Sequence, residues 1–315
     1  MSWHTLIEQQ AQASTKSDGN SLIPLPGRRI IQVTGEEAKS FLQNLLTNDV
    51  NALQVNQSQL SGFCNPKGRL LSIFQLIRRP DDFLIVLPAE LAEAISQRLN
   101  MFKLRSKVDI KLVDDQHILG LIHRQDDSDP AETWQGTVTE TGLIVRQPGQ
   151  TPRSLLIADE QQIEALSQRL GEEWQLAPES LWQQHEIEAG LPNIFPDSKE
   201  AFTPQQVNLD LVGGVSFKKG CYPGQEVVAR LHYLGKPSRR LFLGQLEGDT
   251  LPGINSAVLD EQGETLGHIV QAQFTADDSI VCQLSMKLSA VGKAAFIGDQ
   301  PLESVTPMVD EPDAD

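Results

Sequence analysis

Apolar positions along the chain alternate between two spacings, and each spacing predicts a different kind of element. From Thr34 onward Ala38, Phe41, Leu42, Leu45 and Leu46 recur on one helical face, and Thr34 with Glu37 fits a capping box. A helix is therefore expected from Thr34 to the Asn48-Asp49 turn. Leu70–Ile77 is almost continuously apolar and reads as a buried strand entered through the turn Asn65-Pro66-Lys67-Gly68. Further short apolar strands are expected at Val108–Val113, Ile118–Ile122 and Leu143–Arg146. The first 21 residues read as a loose helix or tail.

The middle of the chain repeats itself. FLIVLPAELAEAISQRLN at 83–100 aligns without gaps with SLLIADEQQIEALSQRLG at 154–171. Each copy reads as a strand, a turn and an amphipathic helix, with Leu91, Ala94, Ile95 and Leu99 on one helix face and Ile163, Leu166 and Leu170 on the other. With flanking strands, this predicts an α+β class fold of two related lobes. From Leu241 the helical period disappears. LFLGQL, SAVLD, TLGHIVQAQF, SIVCQLSMKL and KAAFIG are short strand-like runs between turns, which reads as a small C-terminal antiparallel β-barrel or sandwich. Glu303–Asp315 carries five acids and no base and is expected to be a disordered tail.

Length and charge sharpen this outline. A chain of 315 residues fits about two domains and can bury a core without disulfides. No apolar run reaches the ~18 residues of a membrane helix, and the start lacks a secretory signal, so a cytoplasmic protein with no membrane partner is expected. The formal net charge is −16, which argues against general nucleic-acid binding by the whole body. Yet Val215–Arg240 holds six bases, Lys218, Lys219, Arg230, Lys236, Arg239 and Arg240, against the single acid Glu226. Such an island either receives an anion or pairs with acidic neighbours.

Candidate chemistry concentrates in the same stretch. In KKGCYPGQEVVAR, Gly220 and Gly224 allow unusual backbone conformations and Pro223 fixes the turn between them, presenting Cys221-Tyr222 at its start. Lys218 and Lys219 beside Cys221 would favour its thiolate. The alternatives are a loop presenting a reactive thiol and a packed turn with an inert one. Cys64 precedes a turn and Cys282 lies mid-strand, and both read as unreactive. The six histidines show no ligand spacing, so no metal site is expected, and no GxGxxG, P-loop or GxSxG motif occurs. Trp182, at the head of WQQHEIEAGLPNIF, is either a core tryptophan or a platform for a flat heteroaromatic ligand, and the residues alone favour the core.

The run KGCYPGQE resembles the K-G-C-Y-x-G-Q-E signature of the folate-binding YgfZ family, which is related to the aminomethyltransferase (T-protein) of glycine cleavage and to a mitochondrial iron–sulfur assembly factor. FLQNLLTNDV at 41–50, GFCNPKGRLL at 62–71, IEAGLP at 187–192 and GGVSFKKGCYPGQEVVAR at 213–230 follow the family's order, over roughly residues 25–300. The resemblance implies an aminomethyltransferase-like architecture, divided as an N-terminal segment 1–24, two α+β lobes over 25–237, a barrel over 238–302 and a tail over 303–315. It implies tetrahydrofolate or a folate derivative as ligand. The implied role is support of iron–sulfur enzymes, among them a radical enzyme that methylthiolates tRNA, with a link to replication-initiation control.

Carried over residue by residue, the resemblance assigns folate contacts to Trp182 and to Arg28, where the family has a second tryptophan. An arginine there can still stack on a pterin or grip glutamate carboxylates. The signature loop is Lys219, Gly220, Cys221, Tyr222, Gly224, Gln225, Glu226 and Arg230, with Cys221 as candidate functional thiol. Where aminomethyltransferases carry an Asp-Asp pair after a glycine turn, this chain has Leu71 and Ser72. Neither serves as a general acid or base at neutral pH, so a non-enzymatic folate-binding accessory is the expected function, with an active one-carbon transferase or demethylase as the alternative.

Overall fold

The computed structural model describes residues 1–14, 19–123, 132–171 and 173–308. In chain order the elements are α1 (Trp3–Gln10), β1 (Asn20–Pro24), β2 (Arg28–Thr34), α2 (Ala38–Gln43), β3 (Ser58–Cys64), β4 (Leu70–Arg78), β5 (Asp82–Pro88), α3 (Ala89–Lys103), β6 (Asp109–Val113), β7 (His117–Ile122), β8 (Gly136–Thr139), β9 (Gly142–Gln147), β10 (Arg153–Ala158), α4 (Glu160–Arg169), β11 (Trp174–Leu176) and α5 (Glu179–Glu188). They continue with α6 (Gln225–Tyr233), β12 (Arg239–Leu246), β13 (Ala257–Leu259), β14 (Thr265–Phe274), β15 (Ile280–Lys287), β16 (Phe296–Ile297), β17 (Gln300–Pro301) and β18 (Ser304–Pro307).

Two compact units result, interleaved in sequence. The first comprises Met1–Gln43, Asp49–Gln59 and Phe74–His185, and the second Asn44–Asn48, Leu60–Ile73 and Glu186–Asp315. In the first unit a six-stranded sheet, β11-β1-β7-β10-β9-β8, faces a five-stranded sheet ordered β3-β4-β5-β2-β6. One core fills the space between them: Ile23, Leu25, Ile118 and Leu155 from one sheet meet Ile30, Ile77, Leu84 and Val86 from the other, with Trp182 at 0% exposure among them. Alternation along a strand sends neighbouring side chains to opposite faces. Leu22, Leu119, Leu121 and Leu156 accordingly form the outer face of the six-stranded sheet, covered by Leu6 of α1 and by Ile163 and Leu166 of α4. α3 covers β2, β5 and β6 with Leu91, Ala92, Ile95 and Leu99.

Both copies of the sequence repeat fold as strand then helix, β5–α3 in one sheet and β10–α4 in the other. The start of the chain differs from expectation. Of the first 21 residues, expected as a loose helix or tail, Trp3–Gln10 is helical, but Asn20 and Ser21 open the strand β1, held between β11 and β7 by pairs such as Ser21↔Ile122. The expected helix from Thr34 is also shorter. Thr34 ends β2, opposite Asp82 and Asp109, and only Ala38–Gln43 is helical. The Glu37 carboxylate accepts the Lys107 N–H (2.6 Å) instead of capping its own helix. Leu46 then pairs as a bridge with Phe63. Tertiary hydrogen bonds here override an intact helical period.

The second unit carries a seven-stranded antiparallel sheet, β17-β16-β13-β14-β15-β12-β18, around Phe242, Val258, Ile269, Ile280, Leu284 and Met286. It is antiparallel, as expected, and forms an open, curled half-barrel where a barrel is expected. Irregular registers at Val258/Leu259 and Ile269/Gln271 increase the curl, while β16 and β17 have two residues each and do not reach β18. Ser304–Pro307, expected as part of a tail, instead pairs with Phe242–Gln245, and the rest of that expected tail, 309–315, lies outside the described residues.

Trp182 makes a sharp test of the first unit's core. A Cβ on Gly120 would stand 2.3 Å from its Cε3. Gly120→Ala is expected to destabilise the protein by about 1–3 kcal/mol through overpacking, read as a lowered urea midpoint together with a shifted tryptophan emission.

Candidate functional site

The segments that carry the family resemblance converge within the second unit. Thr47 joins three of them: its hydroxyl donates to the Gly214 carbonyl (2.7 Å) and accepts from Gly62 N–H (2.7 Å), and its own N–H donates to the Gly62 carbonyl. The Asn48 amide donates to the carbonyls of Leu60 (2.8 Å) and Gly213 (2.7 Å). The Asn65 side chain accepts from Lys67 N–H (2.9 Å) and Arg69 N–H (3.1 Å), closing the turn before β4. Arg69 donates to the Ala201 carbonyl at 2.6 Å. The fourth segment is tied in separately, since Gln271 and Gln283 both donate to the Leu191 carbonyl.

The signature loop rests on that turn. Gly224 lies at φ +82, and a Cβ on it would meet the Asn65 carbonyl at 2.5 Å and Gly68 Cα at 2.6 Å. Two backbones touch here, and only glycine permits it. α6 starts at Gln225 immediately afterwards, with Gln205 donating to the Val228 carbonyl at 2.7 Å. The loop turns alternate side chains in and out. Lys219 is buried, donates to the Leu46 carbonyl (2.5 Å) and sits 5.2 Å from the centre of the Tyr222 ring. Tyr222 is buried, and its hydroxyl is raised above the ordinary phenol range by burial and then by nearby Cys64. Cys221 is exposed. Lys219 is therefore an inward anchor and not the flanking cation that the sequence places beside the thiol. Gly220 has nothing within 4 Å of where a Cβ would stand, and Glu226 and Arg230 are exposed on α6. Cys64 and Cys282 are buried, which pushes each thiol up to about 12.

The other two candidate residues belong to the first unit. Glu179, in the first turn of α5, accepts the Gly27 N–H at 3.1 Å and so ties α5 to the turn before Arg28. Arg28 lines a cavity of about 220 Å³ together with Arg29, Trp3, Gln116 and His117. The Trp3 and His117 rings stack at 4.5 Å and 13°. Arg29 pairs with the exposed Asp114 at 2.5 Å. Burial pulls His117 below the ordinary imidazole range, against the opposing pull of Glu160 and Asp115. Trp182 does not line this cavity. It belongs to the core layer that supplies the cavity's apolar wall through Leu25, Ile30 and Ile118, and the Arg153 guanidinium lies 4.9 Å from its ring centre. Trp182 Nε1 and Gln116 Oε1 are buried and have no hydrogen-bond partner among the described residues.

Trp3, Arg29, Gln116 and His117 do not announce themselves in the sequence. The doubled Arg28-Arg29 at the head of a strand is the one readable signal, and Trp3 lies in the segment that reads as a loose helix or tail. Thr47, Asn48 and Asn65 sit inside recognisable segments, but their roles depend on partners more than a hundred residues away or on turn geometry. Leu71 and Ser72 are buried in β4, and the Ser72 hydroxyl donates to the Ile73 carbonyl at 3.3 Å.

Two predictions follow directly from this geometry. Native protein titrated with a disulfide reagent should show one fast thiol, lost in Cys221→Ser, with Cys64 and Cys282 reacting only on unfolding. Gly224→Ala should lower the melting temperature, because the added methyl must displace the Asn65–Gly68 turn, at a cost of about 1–3 kcal/mol.

No family model matches the chain. It is 32% identical over 271 residues to the tRNA-modifying protein YgfZ of Colwellia psychrerythraea, covering 82% of each chain. It is 31% identical over 294 residues to the tRNA-modifying protein YgfZ of Edwardsiella ictaluri, covering 89% of this chain and 86% of that one. Among solved structures it is similar to the glycine cleavage system aminomethyltransferase T from Bartonella henselae, with a TM-score of 0.73 at 18% identity, covering 96% of this chain and 88% of the other. The mixed α+β architecture with its curled C-terminal sheet is thus aminomethyltransferase-like. With that identity sustained over most of its length, the chain belongs to the YgfZ family of tRNA-modifying proteins.

Proposed function

We propose that this protein binds a tetrahydrofolate-type coenzyme without turning it over as a transferase does, and acts as an accessory of tRNA modification by iron–sulfur enzymes. The observation that carries the folate reading is the cavity at Arg28. The Arg28 guanidinium suits a glutamate carboxylate of a folate, which binds strongly through charge-assisted hydrogen bonds, while Arg29 is paired with Asp114 on the same lining. The stacked Trp3 and His117 rings and the apolar wall suit an aromatic ring. Gln116 Oε1, a buried acceptor on the cavity lining with no partner among the described residues, is the kind of group that a pterin's own donors satisfy. At about 220 Å³ the cavity takes one end of the coenzyme.

When bound, the coenzyme supplies a carrier for one-carbon units. This chain's own residues hold and orient it: Arg28 neutralises a carboxylate, Arg29 neutralises the Asp114 carboxylate on the lining, and Trp3 and Gln116 shape and polarise the wall. Leu71 and Ser72, buried in β4 at the position of the transferase carboxylates, offer no group to move a proton during C–N cleavage. Support of tRNA modification is carried over from the named relatives, and the partner of the exposed Cys221 thiol is proposed to be an iron–sulfur enzyme that acts on tRNA, a radical methylthiotransferase in the first instance.

Tetrahydrofolate titrated against tryptophan emission should saturate in the wild type. Arg28→Ala should weaken binding about tenfold or more, the equivalent of one charge-assisted contact at ~1.5–3 kcal/mol. No change in Arg28→Ala would remove the cavity from the reading. Cys221→Ala should keep the wild-type melting temperature and fail to restore tRNA methylthiolation in cells lacking the family's protein. Full restoration would leave the thiol without a role.

A further inference from the structure

We propose that the outer face of α6, with the Phe217-Lys218 segment docked on its end, binds unpaired RNA nucleotides. This rests on the tRNA reading above and names the surface and the kind of nucleic acid. Net charge alone argues against RNA binding, but exposure divides the basic residues into two groups. Lys219 and Arg240 are committed inside, to the Leu46 carbonyl and to Asp210 (2.8 Å). Lys218, Arg230 and Lys236 are exposed, as is Lys67 beside Gly68, whose Cβ position lies 3.0 Å from Val227 in the first turn of α6. None of these four side chains forms an ion pair among the described residues. Free cations clustered on a chain of net charge −16 mark a place where a polyanion is tolerated.

The same end of α6 carries rings. Phe217 and His232 stack at 3.6 Å and 6°, and Tyr233 stands edge-on to both, at 6.2 Å and 4.7 Å. The Tyr233 hydroxyl donates to the Phe217 carbonyl at 3.3 Å, which holds a ring that is 64% exposed in a fixed pose. Leu234 next to it is 82% exposed. The exposed His232 and Tyr233 rings, backed by the half-buried Phe217 within a cationic surface, suit bases that are free to stack, with phosphates on the lysines and arginine. A base-paired helix hides its bases, and an acidic protein segment has no use for the rings, so the occupant is a loop or single strand of RNA. α6 is nine residues and about 14 Å long, so a nucleotide stacked at Tyr233 lies within roughly one helix length of the exposed Cys221.

The test is fluorescence anisotropy on the full chain with three labelled probes: an RNA stem-loop, the matching blunt duplex and a polyglutamate peptide. The stem-loop should bind tightest. The triple variant K218E/R230E/K236E should bind it at least about tenfold more weakly and flatten the slope of log K against log salt by about 2, as expected for three lost phosphate contacts on a single strand. Tyr233→Ala should weaken stem-loop binding about five- to tenfold with the salt slope unchanged. Unchanged affinity in the triple variant overturns the proposal, and so does equal binding of stem-loop, duplex and polyglutamate with a silent Tyr233→Ala. Melting curves establish that the variants fold, and the charge variant does not touch the stacked rings. Tetrahydrofolate titration of the same proteins separates the two readings. The RNA face can fail while folate binding at Arg28 persists, and loss of folate binding in the wild type sinks the coenzyme reading while leaving an RNA result intact.

Discussion

The approach of Gly224 to the Asn65–Gly68 turn is the constraint on which the signature loop depends. Both glycines lie in the left-handed region, at φ +82 and +70, and the space between their backbones admits no side chain. That contact places the first turn of α6, sends Tyr222 and Lys219 inward and leaves Cys221 facing out. A reactive group on a loop is only as well aimed as the scaffold beneath it. Here the scaffold is a turn closed by Asn65 and a strand locked through Thr47.

What the sequence made legible follows from how local its causes are. β4, β7, β9, β14 and β15 were readable because continuous or alternating apolar runs leave few other solutions, and the repeated strand–helix pair folds as its pattern implies. The short α2 was not readable, because Ala38, Phe41, Leu42, Leu45 and Leu46 keep the helical period past the helix's end while Thr47 and Glu37 are claimed by Gly62 and Lys107. β1 and β18 were missed for a related reason. Each is a short segment whose pairing partner, β7 or β12, is far away in sequence. At the site, the exposure of Cys221 matched a glycine-rich turn, whereas the inward course of Lys219 depends on the Leu46 carbonyl, which no local spacing reveals.

The electrostatics follow the same division. Of the basic residues crowded into one stretch, some act as internal fasteners and others remain free at the surface, so the sum of charges says little about what the stretch does. Burial also separates the thiols. Cys64 and Cys282 are held protonated by their apolar surroundings, and the difference in chemistry among three cysteines is a difference in packing.

The Thr47–Gly214 hydrogen bond spans 167 residues. A ribosome adding about 5–20 residues per second needs roughly 8–33 s to deliver the second partner after the first. Through that interval Asn44–Asn48 and Leu60–Ile73 have emerged without the body of the unit they complete. Leu70, whose backbone pairs with Glu200 and Phe202 in the finished fold, then waits without those partners. A chaperone that shields this stretch during synthesis should therefore raise the yield of the folded molecule.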